Sequence, residues 1–145
     1  MDVGAIINGL SGVATAIGVG VAAWQLRMSK DQAQSAYEDG FGEQYRDIVN
    51  KLPLDALLGK PLEPATLRSA LRCFYRYFDL CNDQAFLAAR HRIRPETWEN
   101  WLEGIQRNFA RPGFRQAWQE LFPDLDGSFN DLRQHLPRDL HKPKT

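Results

Sequence analysis

The chain has 145 residues, in which 18 lysines and arginines balance 18 aspartates and glutamates. With no net field to draw a polyanion, nucleic acid is not an expected partner. Two cysteines, three scattered histidines and no CxxC exclude a disulfide framework and any recognised zinc spacing, so no metal or cofactor is expected.

The first element is the run over residues 3–24, VGAIINGLSGVATAIGVGVAAW, which carries no charge. A helix rising about 1.5 Å per residue needs roughly 20 residues to cross a ~30 Å hydrocarbon core, and this run has that length. Asn8, Ser11, Thr15 and five glycines dilute its apolarity. Two readings compete. A cleaved signal peptide wants a basic start, where Met1 and Asp2 stand instead. A buried helix of a soluble fold is the other. Trp24 at the boundary, followed by Arg27 and Lys30, matches an interfacial aromatic and the positive-inside rule. The expectation is therefore a transmembrane helix over residues 1–25 of a bacterial inner-membrane protein. Its N-terminus would lie outside and the remainder in the cytoplasm, with membrane lipid as a partner. Small residues recur every four positions, as Gly4, Asn8, Gly12, Ala16 and Gly20 and again as Ala14, Gly18 and Ala22. Such rows let helix backbones approach closely in a membrane, which predicts a homo-oligomer with Asn8 bonding across the contact.

Helical periodicity continues through a juxtamembrane segment, residues 26–52. Ala33, Tyr37, Phe41, Ile48 and Leu52 share one stripe, Tyr45 sits at its edge, and Gly40 and Gly42 predict a bend. The stretch LPLDALLGKPLEP reads as a connector holding one turn of helix over 55–58. Pro64 then opens a helix reaching to 90, with Leu67, Leu71, Phe74, Phe78, Cys81, Ala85 and Ala89 as its core stripe. Cys73 and Cys81, eight residues apart, would lie about 12 Å from one another, beyond the ~7 Å a disulfide allows. They read as reduced core thiols. Arg72, Arg76, Asp79 and Asp83 share the far face, read as solvated and laced by local pairs such as Arg76–Asp79.

Arg90, Arg92 and Arg94 form the one local concentration of positive charge, immediately before Pro95 begins another helix. Arginines meeting backbone N–H groups at a helix start make a candidate anion or phosphate site. The plainer reading is that they complement the preceding helix's C-terminal dipole, and a third is contact with anionic headgroups. Over 95–110, Trp98, Trp101, Leu102, Ile105 and Phe109 share one face, opposite Glu99, Glu103 and Arg107. After Arg111-Pro112-Gly113, the residues Phe114, Trp118, Leu121 and Phe122 predict a short helix, and Phe129, Leu132 and Leu136 a last amphipathic piece. The helical cytoplasmic domain is thus 64–136, with 137–145, PRDLHKPKT, as a flexible tail. No stretch alternates at period two for long enough to make a sheet, so the fold class is all-α: a transmembrane helix followed by a small helical bundle.

No phosphate-binding GxxxxGK[ST], nucleophile elbow GxSxG or zinc-binding HExxH occurs, and burial would quench both thiols. A non-enzymatic protein is expected. The phrases AAWQLRMSKDQAQ, FYRYFDLCNDQAFL and RIRPETWENWLEGI, at 22–34, 74–87 and 92–105, give a layout that resembles a group of small bacterial single-pass proteins with a helical domain of unknown function. The resemblance covers most of the chain and transfers no catalytic residue. By architectural analogy it implies a self-associating scaffold or membrane effector of the kind used in phage defence. Two alternatives stand beside it. One is a tethered sensor taking a nucleotide or other anion at Arg90, Arg92 and Arg94. The other is a soluble helical adaptor whose small-residue helix packs on a protein partner.

Overall fold

The computed structural model describes residues 3–125 and 127–142, and within these all side chains but those of 5 and 7–11. Among the described residues the chain is helical and contains no strand. Six α-helices follow one another: α1 (Val3–Val49), α2 (Leu54–Leu57), α3 (Pro64–Ala89), α4 (Pro95–Phe109), α5 (Pro112–Leu121) and α6 (Asn130–Arg133). Single turns of 3₁₀ helix stand at Phe122–Asp124 and Arg138–His141. The chain divides into two compact units, residues 1–36 and residues 37–145.

In the first unit every side chain from Gly12 to Ala33 is exposed. The apolar ones do not gather on a single side. Val13, Ile17 and Val21 are neighbours at helical spacing, while Val19 and Leu26, at 64% and 73% exposure, fall on another face. The transmembrane helix expected over 1–25 is not supported by these residues: among them, no helix is long and apolar enough to cross a membrane. Gly12, Thr15, Gly18 and Gly20 lengthen the helix without adding apolar surface, and the residues beyond Trp24 are charged. The side chain of Asn8, expected at an oligomer contact, lies outside the described residues, as does that of Leu10.

The second unit has the amphipathic core the sequence predicts. Proline starts α3, α4 and α5, each at the first helical position, where its missing N–H has no partner to lose. Gly40 and Gly42, where a bend is expected, both lie inside α1, which is not interrupted there. At the centre, Phe74, Tyr77 and Phe78 of α3 meet Phe109 of α4 and Phe114 and Trp118 of α5. Their rings lie edge-to-face, with centroids 5.2 Å apart for Phe74–Phe114 and Tyr77–Phe114 and 5.1 Å for Phe78–Trp118. Such pairs add about 0.5–1.5 kcal/mol each to what their burial contributes. The buried face of α3 is broader than one stripe, because Ala70, Tyr77 and Leu80 are buried along with Leu67, Phe74, Phe78, Cys81 and Ala85.

Polar clamps fix the connections. Gln116 holds the 52–64 connector by accepting from the Leu62 N–H at 2.8 Å and donating to the Leu62 carbonyl at 3.0 Å. Next to it Gly113 is compulsory, since a Cβ there would lie 2.9 Å from that of Ala56. Asn82 accepts from the Leu132 N–H at the start of α6. Arg133 donates to the Ser128 and Leu125 carbonyls while its guanidinium lies 4.7 Å from the centre of the Phe122 ring. The end of the chain also differs from the flexible segment expected over 137–145. Leu140 is buried, and its carbonyl accepts the indole N–H of Trp118 at 2.9 Å, so residues 138–141 are held against the core.

Candidate functional site

The three arginines of the predicted anion corner are engaged separately. The Arg94 backbone N–H donates to Glu38 Oε1 at 3.0 Å, and its Nη1 donates to Glu38 Oε2 at 2.7 Å. This bidentate, half-buried pair already places a carboxylate where an anion would sit at the start of α4. Arg90 folds back over its own helix, with its guanidinium 3.4 Å from the centre of the Phe86 ring and Nη1 donating to the Phe86 carbonyl. That places its charge on the C-terminal end of α3, as the dipole reading predicts. Arg92 is exposed. An incoming anion would have to displace Glu38 to gather these charges.

The solvated face of α3 is as expected in exposure but not in pairing. Arg76 reaches Asp47 of α1 at 3.4 Å, and Asp47 also takes Lys51 at 2.7 Å, whose hydrogen bond is the main cause of its lowered carboxyl pKa. Burial, with the neighbouring Asp79 charge, pushes Asp83 up. The thiols are quiet: desolvation pushes fully buried Cys81 up to about 12 and raises Cys73, so neither is a ready thiolate. Among the described residues no group of histidines, cysteines and carboxylates is arranged to hold a metal ion.

A cavity of about 250 Å³ opens between the 37–49 part of α1, α3 and α4. Phe41, Tyr45 and Trp101 give it aromatic walls, and Phe41 and Trp101 meet edge-on at 5.7 Å. Tyr77, Cys81 and Ile105 form its buried floor. Desolvation raises the Tyr77 phenol well above its usual value, which keeps it neutral, and its oxygen accepts from Asn108 Nδ2 at 2.7 Å. Asn108 is itself satisfied, because its Oδ1 accepts from Arg111 at 2.8 Å. Gln84 is different. It is 5% exposed and lines the cavity, yet its carboxamide has no hydrogen-bond partner among the described residues. Among the described residues no fully occluded side-chain nitrogen or oxygen lacks a partner, so that amide is accessible, and the cavity is the space its residue lines. Asn100, an exposed residue, lines the rim, and among the described residues no charged one lines the cavity.

Sequence reading passed over this cavity. Gln84 falls between Cys81 and Ala85 of the core stripe, and Gly104 interrupts the apolar face of α4. Those two departures from amphipathic spacing are the available signal. No family model, curated protein or solved structure matches the chain.

Proposed function

We propose that this protein is a membrane-associated, non-enzymatic helical scaffold or effector. Residues 3–24 would embed in the bilayer, and the unit from residue 37 onward would work at the membrane surface, on the cytoplasmic side. The observation that carries the reading is the exposure of apolar side chains on more than one face of an uncharged helix segment. An amphipathic helix that packs on a partner protein needs one apolar stripe, whereas apolar residues on more than one face suit an apolar surrounding. Val13, Ile17 and Val21 on one face and Val19 on another favour lipid over a groove. Trp24, Arg27 and Lys30 follow in the order expected at a membrane boundary. Within lipid, the rows Gly12, Ala16, Gly20 and Ala14, Gly18, Ala22 offer a close-packing face for a second copy. At Gly12, Gly18 and Gly20 a Cβ would meet nothing within 4 Å, so nothing in the single chain accounts for the small side chains there.

Carbonate extraction of cell membranes tests the reading. The full chain is expected in the pellet, and Ile17→Lys combined with Val19→Lys is expected to release it. Recovery of the unaltered chain in the carbonate supernatant overturns the proposal and favours the soluble adaptor. For the assembly, the detergent-solubilised particle should exceed the 16.6 kDa of one chain, and Gly18→Leu should return it towards monomer.

A further inference from the structure

We infer that the cavity between α1, α3 and α4 is a binding site for a small, neutral, planar cyclic amide of the nucleobase class, read by the Gln84 carboxamide. Three independent observations converge on it.

The first is Gln84 itself. Its carboxamide bonds to nothing in the described chain and is accessible only through a small residual opening, so a ligand or water must satisfy it. Here it lines open space whose rim also includes Asn100. A carboxamide offers a donor and an acceptor side by side, the complement of the N–H/C=O edge of a lactam.

The second is glycine. Gly104 lies inside α4 and Gly42 inside α1, and both line the cavity. Neither has a positive φ that would require glycine. A Cβ at Gly104 would meet nothing within 4 Å, and one at Gly42 only the end of the Arg46 side chain at 3.6 Å. Glycine in a helix interior destabilises it relative to alanine. With no conformational or packing reason for either, their missing side chains serve to keep the space open.

The third is the character of the walls. Phe41, Tyr45 and Trp101 suit a flat ring, for which aromatic stacking is worth far more than for an aliphatic ligand of equal size. The absence of any charged lining residue disfavours an anion, which sets this site apart from the Arg94 corner. At about 250 Å³ the space is smaller than the roughly 300–1,000 Å³ of drug-sized pockets, so it fits one or two fused rings and not a nucleotide with its phosphates.

The test is titration of the purified full chain with uracil and hypoxanthine, followed by calorimetry and thermal denaturation. Orotate, which is uracil bearing a carboxylate, serves as the charged control. The expected result is saturable binding of at least one lactam, with a dissociation constant of about 0.1–1 mM for so few atoms, a rise in Tm, and no response to orotate. Gly104→Ala should leave the unliganded protein as stable or more so while weakening binding by at least about tenfold, since its Cβ enters the cavity. Gln84→Leu should keep the fold, having no internal hydrogen bond to lose, and weaken binding by a similar factor. Binding of neither lactam up to its solubility limit overturns the inference. So does equal binding of orotate, or undiminished binding by a folded Gln84→Leu protein. A Gly104→Ala protein that does not fold would show that glycine is needed there for another reason and would remove the second argument.

Discussion

Residues 12–33 and residues 37–142 are both helical, yet the first stretch buries no side chain and the second builds a core around six aromatic rings. The exposed stretch is the more apolar of the two, so spacing and size decide which is covered. In α3 and α4 large apolar residues return every three or four positions between charged ones, so one face can be covered by a neighbour and the other left to water. In the N-terminal stretch, small residues take the intermediate positions, so no polar face exists and no deep apolar ridge forms. The second unit finds its covering within the chain. The first leaves Ile17, Val19, Val21 and Trp24 exposed.

The sharpest way to break this contrast is a matched pair of truncations. Trp118→Ala removes a fully buried indole that contacts Phe78 and Phe109 and holds Leu140. It should cost about 3–5 kcal/mol in urea unfolding followed by near-ultraviolet circular dichroism. Ile17→Ala should stay within about 0.5 kcal/mol in the same assay. Comparable losses would mean that the N-terminal stretch is part of the folded core.

Glycine gives a second matched pair. Gly113→Ala forces a Cβ to 2.9 Å from Ala56, where backbone as well as side chain is in the way, and should cost about 1–3 kcal/mol. Gly18→Ala meets nothing and should be neutral or stabilising by up to about 1 kcal/mol in helix content. If Gly18 instead lies against a second copy, the same change lowers the mass of the detergent particle without touching the unfolding curve of the core.

The Glu38–Arg94 pair is a smaller lever. Glu38→Gln weakens two hydrogen bonds to a charged partner at a half-buried site and should cost on the order of 1 kcal/mol. It also removes the carboxylate charge facing Arg94. If residues 90–94 form an anion site, the variant should bind inorganic phosphate more tightly than the unaltered chain. Unchanged phosphate binding leaves Arg94 as an internal tie of the domain and nothing more.

How much of this was legible beforehand follows the same physics. Proline at the helix starts, the stripe of α3 and the apolar face of α4 are local patterns, and their residues are where periodicity placed them. Tyr77 escaped because a phenol reads as amphipathic until one knows that α3 is flanked by α4, α5 and α6 and must bury more than one side. Helical spacing pairs Arg76 with Asp79 three residues on, but the tertiary fold offers it Asp47 instead. Leu140 looked like part of a polar tail, because a lone leucine among charges has no period, yet one indole N–H is enough to recruit its carbonyl. The cavity was illegible for a related reason. It exists only where three helices fail to close, and Gln84 and Gly104 become meaningful only once they face the same space.

The smallest expected effect concerns pH and tests whether the C-terminal segment belongs to the folded unit. His135, between α6 and the final 3₁₀ turn, packs edge-on against Trp98 with ring centres 5.1 Å apart. Burial against that ring disfavours the imidazolium and holds its pKa below the ordinary 6.5, with the Asp131 charge opposing in part. Below 6.5 and down to the folded value, the unfolded chain therefore binds more protons than the folded one. Stability should fall slightly as pH drops through this window and level off once both states are protonated. Asp83 acts with the opposite sign, since burial and the Asp79 charge raise its pKa and make the folded state the better proton acceptor. Urea midpoints between pH 7.5 and 5, compared between the unaltered chain and a His135 variant, isolate the histidine. His135→Gln should flatten the slope, and an unchanged slope would mean that the contact between His135 and Trp98 is not part of the folded unit in solution.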